Sequence, residues 1–138
     1  MVIDEHYLEA MLNAAELLIH PLGSFDEAIR VLRRTVPENG TNMLAAFEVA
    51  SRLSPRPDNI IVFADGLPTM GAKRPWIKRV SSDKRRNLFN DAVRQLPSGV
   101  PVNIILLPME GDPLAADAFW RLAKVSKGSF FSPARDWP

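Results

Sequence analysis

The chain of 138 residues contains no cysteine. Disulfides, thiolate nucleophiles and zinc–thiolate sites are therefore excluded. Two histidines, His6 and His20, are present, and neither has the H-E-x-x-H spacing that sets two imidazoles on one helix face for zinc. No apolar run approaches the roughly 18 residues of a membrane span. The opening MVIDEHYLEA is acidic rather than basic, unlike the n-region of a secretory signal. These absences together favour a cytoplasmic setting. G-x-S-x-G, Walker and G-x-G-x-x-G motifs are missing as well, which removes support for nucleophilic hydrolase, nucleotide hydrolase and dinucleotide chemistry. Repeats and low-complexity tracts are also absent.

What remains has the composition of one folded domain over residues 1–138: 46% hydrophobic, 24% charged and a net charge of +1. The charge is unevenly spread. Residues 1–72 carry 5 basic and 10 acidic side chains, and residues 73–138 carry 12 basic and 6 acidic ones. Lys73, Arg74, Lys78, Arg79, Lys84, Arg85 and Arg86 crowd one stretch near Trp76. The near-neutral total argues against nucleic acid as partner and for a solvated loop and helix start.

Hydrophobic periodicity divides the chain into helices followed by a helix–strand alternation. Ile3, Tyr7, Leu8, Met11, Leu12, Ala15, Leu18 and Ile19 recur at the helical period until His20-Pro21. Ser24 and Glu27 form a capping box for a helix burying Phe25, Ala28, Ile29 and Leu32. A third helix starts at Thr41 or Asn42, buries Leu44, Phe47 and Ala50, and stops before Pro55. Asn59 to Gly66 reads as a buried strand, apolar on both faces, which predicts a parallel sheet with helices on both sides. A long loop over 67–80 leads to a helix from about Ser82 to Leu96, then to a strand from Val102 to Leu107. Asp112 as N-cap and Pro113 at N1 predict a helix burying Leu114, Ala118, Phe119, Leu122 and Val125, with Gly128 as its left-handed stop. Ser129 to Ser132 is a short third strand, and Trp120 is expected in the core or against the tail. Three strands are few for such a sheet.

In open α/β sheets, ligands bind beyond the carboxyl ends of the strands. Asp65 ends the first strand, Gly66, Pro68 and Thr69 shape the turn after it, and Thr41 opens a helix 24 residues upstream. A carboxylate and a hydroxyl are hard oxygen donors of the kind Mg²⁺ takes. Glu110 and Asp112 follow the next strand and face the same end.

Gly40-Thr41-Asn42-Met43-Leu44-Ala45-Ala46-Phe47, together with Ile60-Ile61-Val62-Phe63-Ala64-Asp65-Gly66-Leu67-Pro68-Thr69 and the helix–strand–helix that follows, resembles the von Willebrand factor A family over roughly residues 24–132. The resemblance implies a three-layer, Rossmann-like α/β sandwich with an open, mostly parallel sheet. It also implies a protein-binding module, not an enzyme, with a metal-ion-dependent adhesion site. Thr41 and Asp65 match two of that site's ligands, and a partner protein supplies an acidic side chain to the metal. Gly66, Thr69, Glu110 and Asp112 are the candidate binding residues around it. The family's D-x-S-x-S motif is absent: no aspartate here has serine two places on. The expected fold is thus truncated at its front, and two oxygen ligands predict weak Mg²⁺ binding or none. The strand Asn59 to Asp65 loses its neighbour with that motif, so it becomes an edge. A homodimer through this strand or the first helix follows. The rival is a divalent-metal enzyme using Asp65 with Glu110 or Asp112. A third reading is a structural subunit completed by assembly.

Overall fold

The computed structural model describes residues 25–34, 40–72, 80–107 and 112–133. The periodic segment 3–19, Ser24 with its capping box, Trp76, Glu110 and both histidines lie outside the described residues, as do the side chains of Phe25, Ala28 and Leu32. The described elements, in order, are α1 (Phe25–Arg34), α2 (Met43–Arg52), β1 (Ile60–Ala64), α3 (Ser82–Val93), β2 (Val102–Leu106), α4 (Ala115–Ser126) and β3 (Phe130–Phe131). Among the described residues the fold is α/β, with an open three-stranded sheet in the order β1-β2-β3. Both pairings are parallel: Ile60 lies opposite Val102, Ala64 opposite Leu106, and Ile104 opposite Phe130. No helix among the described residues is long and apolar enough to cross a membrane.

Two of the helices begin where a short polar side chain can hold free backbone N–H groups. Asn42, the alternative to Thr41, caps α2 by accepting from the Ala45 N–H at 3.1 Å. Ser81 caps α3 by accepting from the Lys84 N–H. The α3 helix ends at Val93, short of Leu96, and the chain leaves it through turn bonds from Gln95 to Ala92 and from Leu96 to Val93.

The core lies on one face of the sheet. Val62, Ala64, Val102, Ile104 and Leu106 point into it and meet Phe89 and Ala92 of α3 and Phe119, Leu122 and Ala123 of α4. Phe89 and Phe119 meet edge to face, with ring centroids 5.1 Å apart. The α2 helix packs on α3 and adds Met43 and Phe47. Leu44 is partly buried against this core, and Ala50 is half-buried.

Three expectations are corrected here. First, β1 is not buried on both faces: Ile61 is 59% and Phe63 48% exposed, and Phe131 of β3 joins them on the open face. Five apolar residues in a row could not say which face lacked a cover. Second, Val125 is 83% exposed and Trp120 48%. The buried stripe of α4 runs through Ala115, Phe119 and Leu122, so Val125 falls on the outer side. Trp120 is outside the core, beneath the Lys124 ammonium, 5.0 Å from its ring centroid, and the tail from residue 134 on lies outside the described residues. Third, the left-handed residue closing α4 is Lys127, at φ 62°, not Gly128. The Lys127 N–H donates to Lys124 and the Gly128 N–H to Ala123, a Schellman closure displaced by one residue. A non-glycine residue in this region costs about 1 kcal/mol or more. Lys127→Gly should therefore raise stability by about 1 kcal/mol, read as a higher midpoint in urea denaturation.

Candidate functional site

The carboxyl ends of β1 and β2 and the N-terminus of α2 converge through the loop after β1. Its first residues, Asp65 and Gly66, leave the strand, and Gly66, Leu67 and Pro68 are buried. Thr69 then ties the loop to Thr41. Its Oγ1 accepts the Thr41 N–H at 2.9 Å, and the Thr41 carbonyl accepts the N–H groups of Thr69 and Met70 at 3.1 and 3.0 Å. Thr41 thus sits beside the loop that Asp65 opens, one residue before the α2 cap. Gly40 explains itself at the same place. A Cβ there would lie 2.5 Å from Thr69 Oγ1 and under 3 Å from the Met70 side chain.

Asp112 has a different role from the two expected of it. The α4 helix begins at Ala115, and its N-cap, Leu114, offers no side-chain bond. The Asp112 side chain is 1% exposed and turns inward. Its Oδ2 accepts the Leu67 N–H at 2.6 Å and pairs with Arg85 Nη2 at 2.8 Å. Arg85, from the first turn of α3, also donates through Nε and Nη2 to the Leu67 carbonyl. One carboxylate and one guanidinium therefore clamp both polar groups of the Leu67 peptide. They join the loop after β1, the start of α3 and the approach to α4. Asp112 Oδ1 is buried without a hydrogen-bond partner among the described residues.

Of the sequence-derived candidates, Thr41, Asp65, Gly66 and Thr69 therefore lie on one connected stretch. Asp112 is close to it but sealed in, and Glu110 lies outside the described residues. Arg85 was the residue that composition hid. It stands in a run of cations that reads as solvated, yet its side chain is only 14% exposed. Its neighbour Arg86 fits that reading, being exposed and paired with Asp83 within its own helix. A faint signal existed: α3 presents Leu88, Phe89 and Ala92 inward, and Arg85 is one helical turn before Phe89.

The residues fit a metal poorly. Among the described residues no group of three or more His, Asp or Glu side chains gathers, and the nearby Asp112 already serves Arg85. A Thr41 hydroxyl and an Asp65 carboxylate would leave most of a six-coordinate Mg²⁺ shell to water, which predicts weak binding. Family models, curated proteins and solved structures were compared with the chain, and none matches it.

Proposed function

We propose that this chain is a protein-binding module of the von Willebrand A type, with its ligand face at the carboxyl end of the parallel sheet. The finer architecture belongs to the same proposal: a three-layer sandwich, of which the described residues form the sheet and one helical face. The observation that carries it is the bonding of Thr41 to Thr69 and Met70. It brings the start of α2 against the loop that begins with Asp65, at the end of the sheet where such folds bind ligands. The Arg85–Asp112 clamp supports that loop from behind, which favours a preshaped surface. The partner is a protein contacting Asp65 and Thr69, since Gly66 is buried in the loop; an acidic side chain of that partner would anchor through a weakly held bridging cation, because it would otherwise face the Asp65 carboxylate.

The site works without tight metal binding. Calorimetric titration with Mg²⁺ should show no micromolar affinity. Micromolar binding that disappears in Asp65→Ala would mean that other residues complete a metal site. The enzyme reading has weaker support, because Asp112, one of its two proposed partners for Asp65, is buried against Arg85.

A peptide array rich in acidic sequences, probed with the whole chain with and without Mg²⁺, tests the binding face. Peptides that bind should lose affinity in Asp65→Ala and Thr69→Val and keep it in Trp120→Ala, which changes the outer side of α4. The reverse pattern would move the binding face and overturn the proposal.

A further inference from the structure

The outer edge of β1, which runs up to Asp65 at the ligand face, presents a fixed set of backbone donors and acceptors. In the β1–β2 ladder the Ile60 N–H donates to Pro101 and the Ala64 carbonyl accepts from Leu107. With the parallel register running from Ile60↔Val102 to Ala64↔Leu106, the backbone groups of Ile60, Val62 and Ala64 face β2. Those of Ile61 and Phe63 must face the other way, since consecutive residues of a strand alternate. Among the described residues no strand lies on that side. The same two residues carry the exposed apolar side chains of the strand. The edge has no lysine, proline or bulge to blunt it.

We propose that this edge pairs with the same edge of a second copy of the chain, antiparallel, about a two-fold axis through Val62. Only registers that oppose Ile61 or Phe63 to an outward-facing residue can form the bonds, which leaves three near the strand centre. Centring on Ile61 sets Asn59 against Phe63 and leaves Ala64 without a strand partner. Centring on Phe63 sets the Asp65 carboxylate against Ile61. Centring on Val62 overlaps all of Ile60–Ala64 and matches like with like. Ile61 then exchanges backbone bonds with Phe63 of the other copy, and the β-branched and aromatic side chains meet on the open face. Ile60 meets the small Ala64 on the core side, where space is limited. Asn59 meets Asp65. The Asn59 Oδ1 already accepts from Asn103 Nδ2, which aims its amide donors elsewhere, and a carboxylate can accept several bonds. No two acids face each other. Such a pairing is isologous, as a two-fold dimer requires, and joins two three-stranded sheets into one of six strands.

The chain lacks cysteine, so single cysteines report the register. Ile61→Cys and Phe63→Cys chains, mixed under mild oxidation, should cross-link to each other efficiently, because a hydrogen-bonded pair sets its Cα atoms about 5.5 Å apart, within disulfide range. Each alone should cross-link poorly. Sedimentation of the unmodified chain should show a dimer forming by high micromolar concentration. Phe63→Pro removes only an outward N–H and should weaken the dimer about tenfold or more while leaving the monomer's circular dichroism unchanged. Efficient Ile61→Cys self-cross-linking would overturn the register. A chain monomeric at every concentration would overturn the dimer, and slow amide exchange at Ile61 and Phe63 in that monomer would assign the cover to the chain itself.

Discussion

Arg85→Ala should destabilise the fold by about 3–5 kcal/mol, the cost of stranding one member of a buried ion pair. Asp112 has nowhere to go when its cation is removed. Its side chain is 1% exposed, its Oδ2 is held by the Leu67 N–H, and its Oδ1 has no hydrogen bond among the described residues. The Leu67 carbonyl would lose its guanidinium donors in the same step. Asp112→Ala should cost less, about 2–3 kcal/mol. It orphans the Leu67 N–H, but Arg85 keeps the Leu67 carbonyl and stands nearer the surface. The double variant Arg85→Ala/Asp112→Ala should be less destabilised than the two single losses added, because the second change removes the stranded charge created by the first. Urea denaturation of the four proteins measures this, and a thermal melt should show Arg85→Ala falling by on the order of 10 °C. A loss under about 1 kcal/mol for Arg85→Ala would show that the pair behaves as a solvated surface bridge, whose usual worth is that small. Amide exchange at Gly66, Leu67, Thr69 and Met70 should rise in the same variant if the clamp shapes the ligand face.

Gly128→Ala should be the other severe change, at about 3 kcal/mol or more. A Cβ at this position would stand 2.0 Å from the Val102 carbonyl oxygen and 2.5 Å from its carbon. The obstacle is backbone of β2, the middle strand of the sheet, bonded to β1 on one side and β3 on the other. It cannot swing aside as a side chain would. Moving the end of α4 instead would disturb Ser126 Oγ, which accepts the Val102 N–H at 3.1 Å. Gly99 is the internal control. It has φ 76°, but a Cβ there would meet nothing within 4 Å, so Gly99→Ala should show only the backbone cost of about 1 kcal/mol. Denaturation midpoints should therefore rank wild type, Gly99→Ala and Gly128→Ala in descending order. Equal losses in the two variants would mean that conformation, not close approach, decides both.

The local pattern of the chain was enough to locate the described elements. The apolar run Ile60–Ala64 bounded by Pro57-Asp58 and Asp65-Gly66, the period-3.6 stripe through Leu88, Phe89 and Ala92, and the strand at Val102 all state short-range preferences that the fold keeps. Their alternation predicted the parallel sheet, because strands joined through helices return in the same direction. It also placed Thr41 and Asp65 toward one end of that sheet. Choices that depend on distant partners were not legible. Asp112-Pro113 has every local mark of a helix start, yet the Leu67 N–H and the Arg85 guanidinium, 45 and 27 positions away in the chain, bind the carboxylate instead. A charge-assisted bond in a dry setting outweighs a solvent-facing cap. Gly128 reads as a flexible stop, while its requirement is set by the carbonyl of Val102 and the left-handed turn falls to Lys127. Sequence by itself thus determined which segments are helix or strand and the direction in which the strands run, since these follow from periodicity and connection. Only the tertiary structure decided which charges are buried, which face of β1 stays open and which backbone groups meet, since each depends on contacts between residues far apart in the chain.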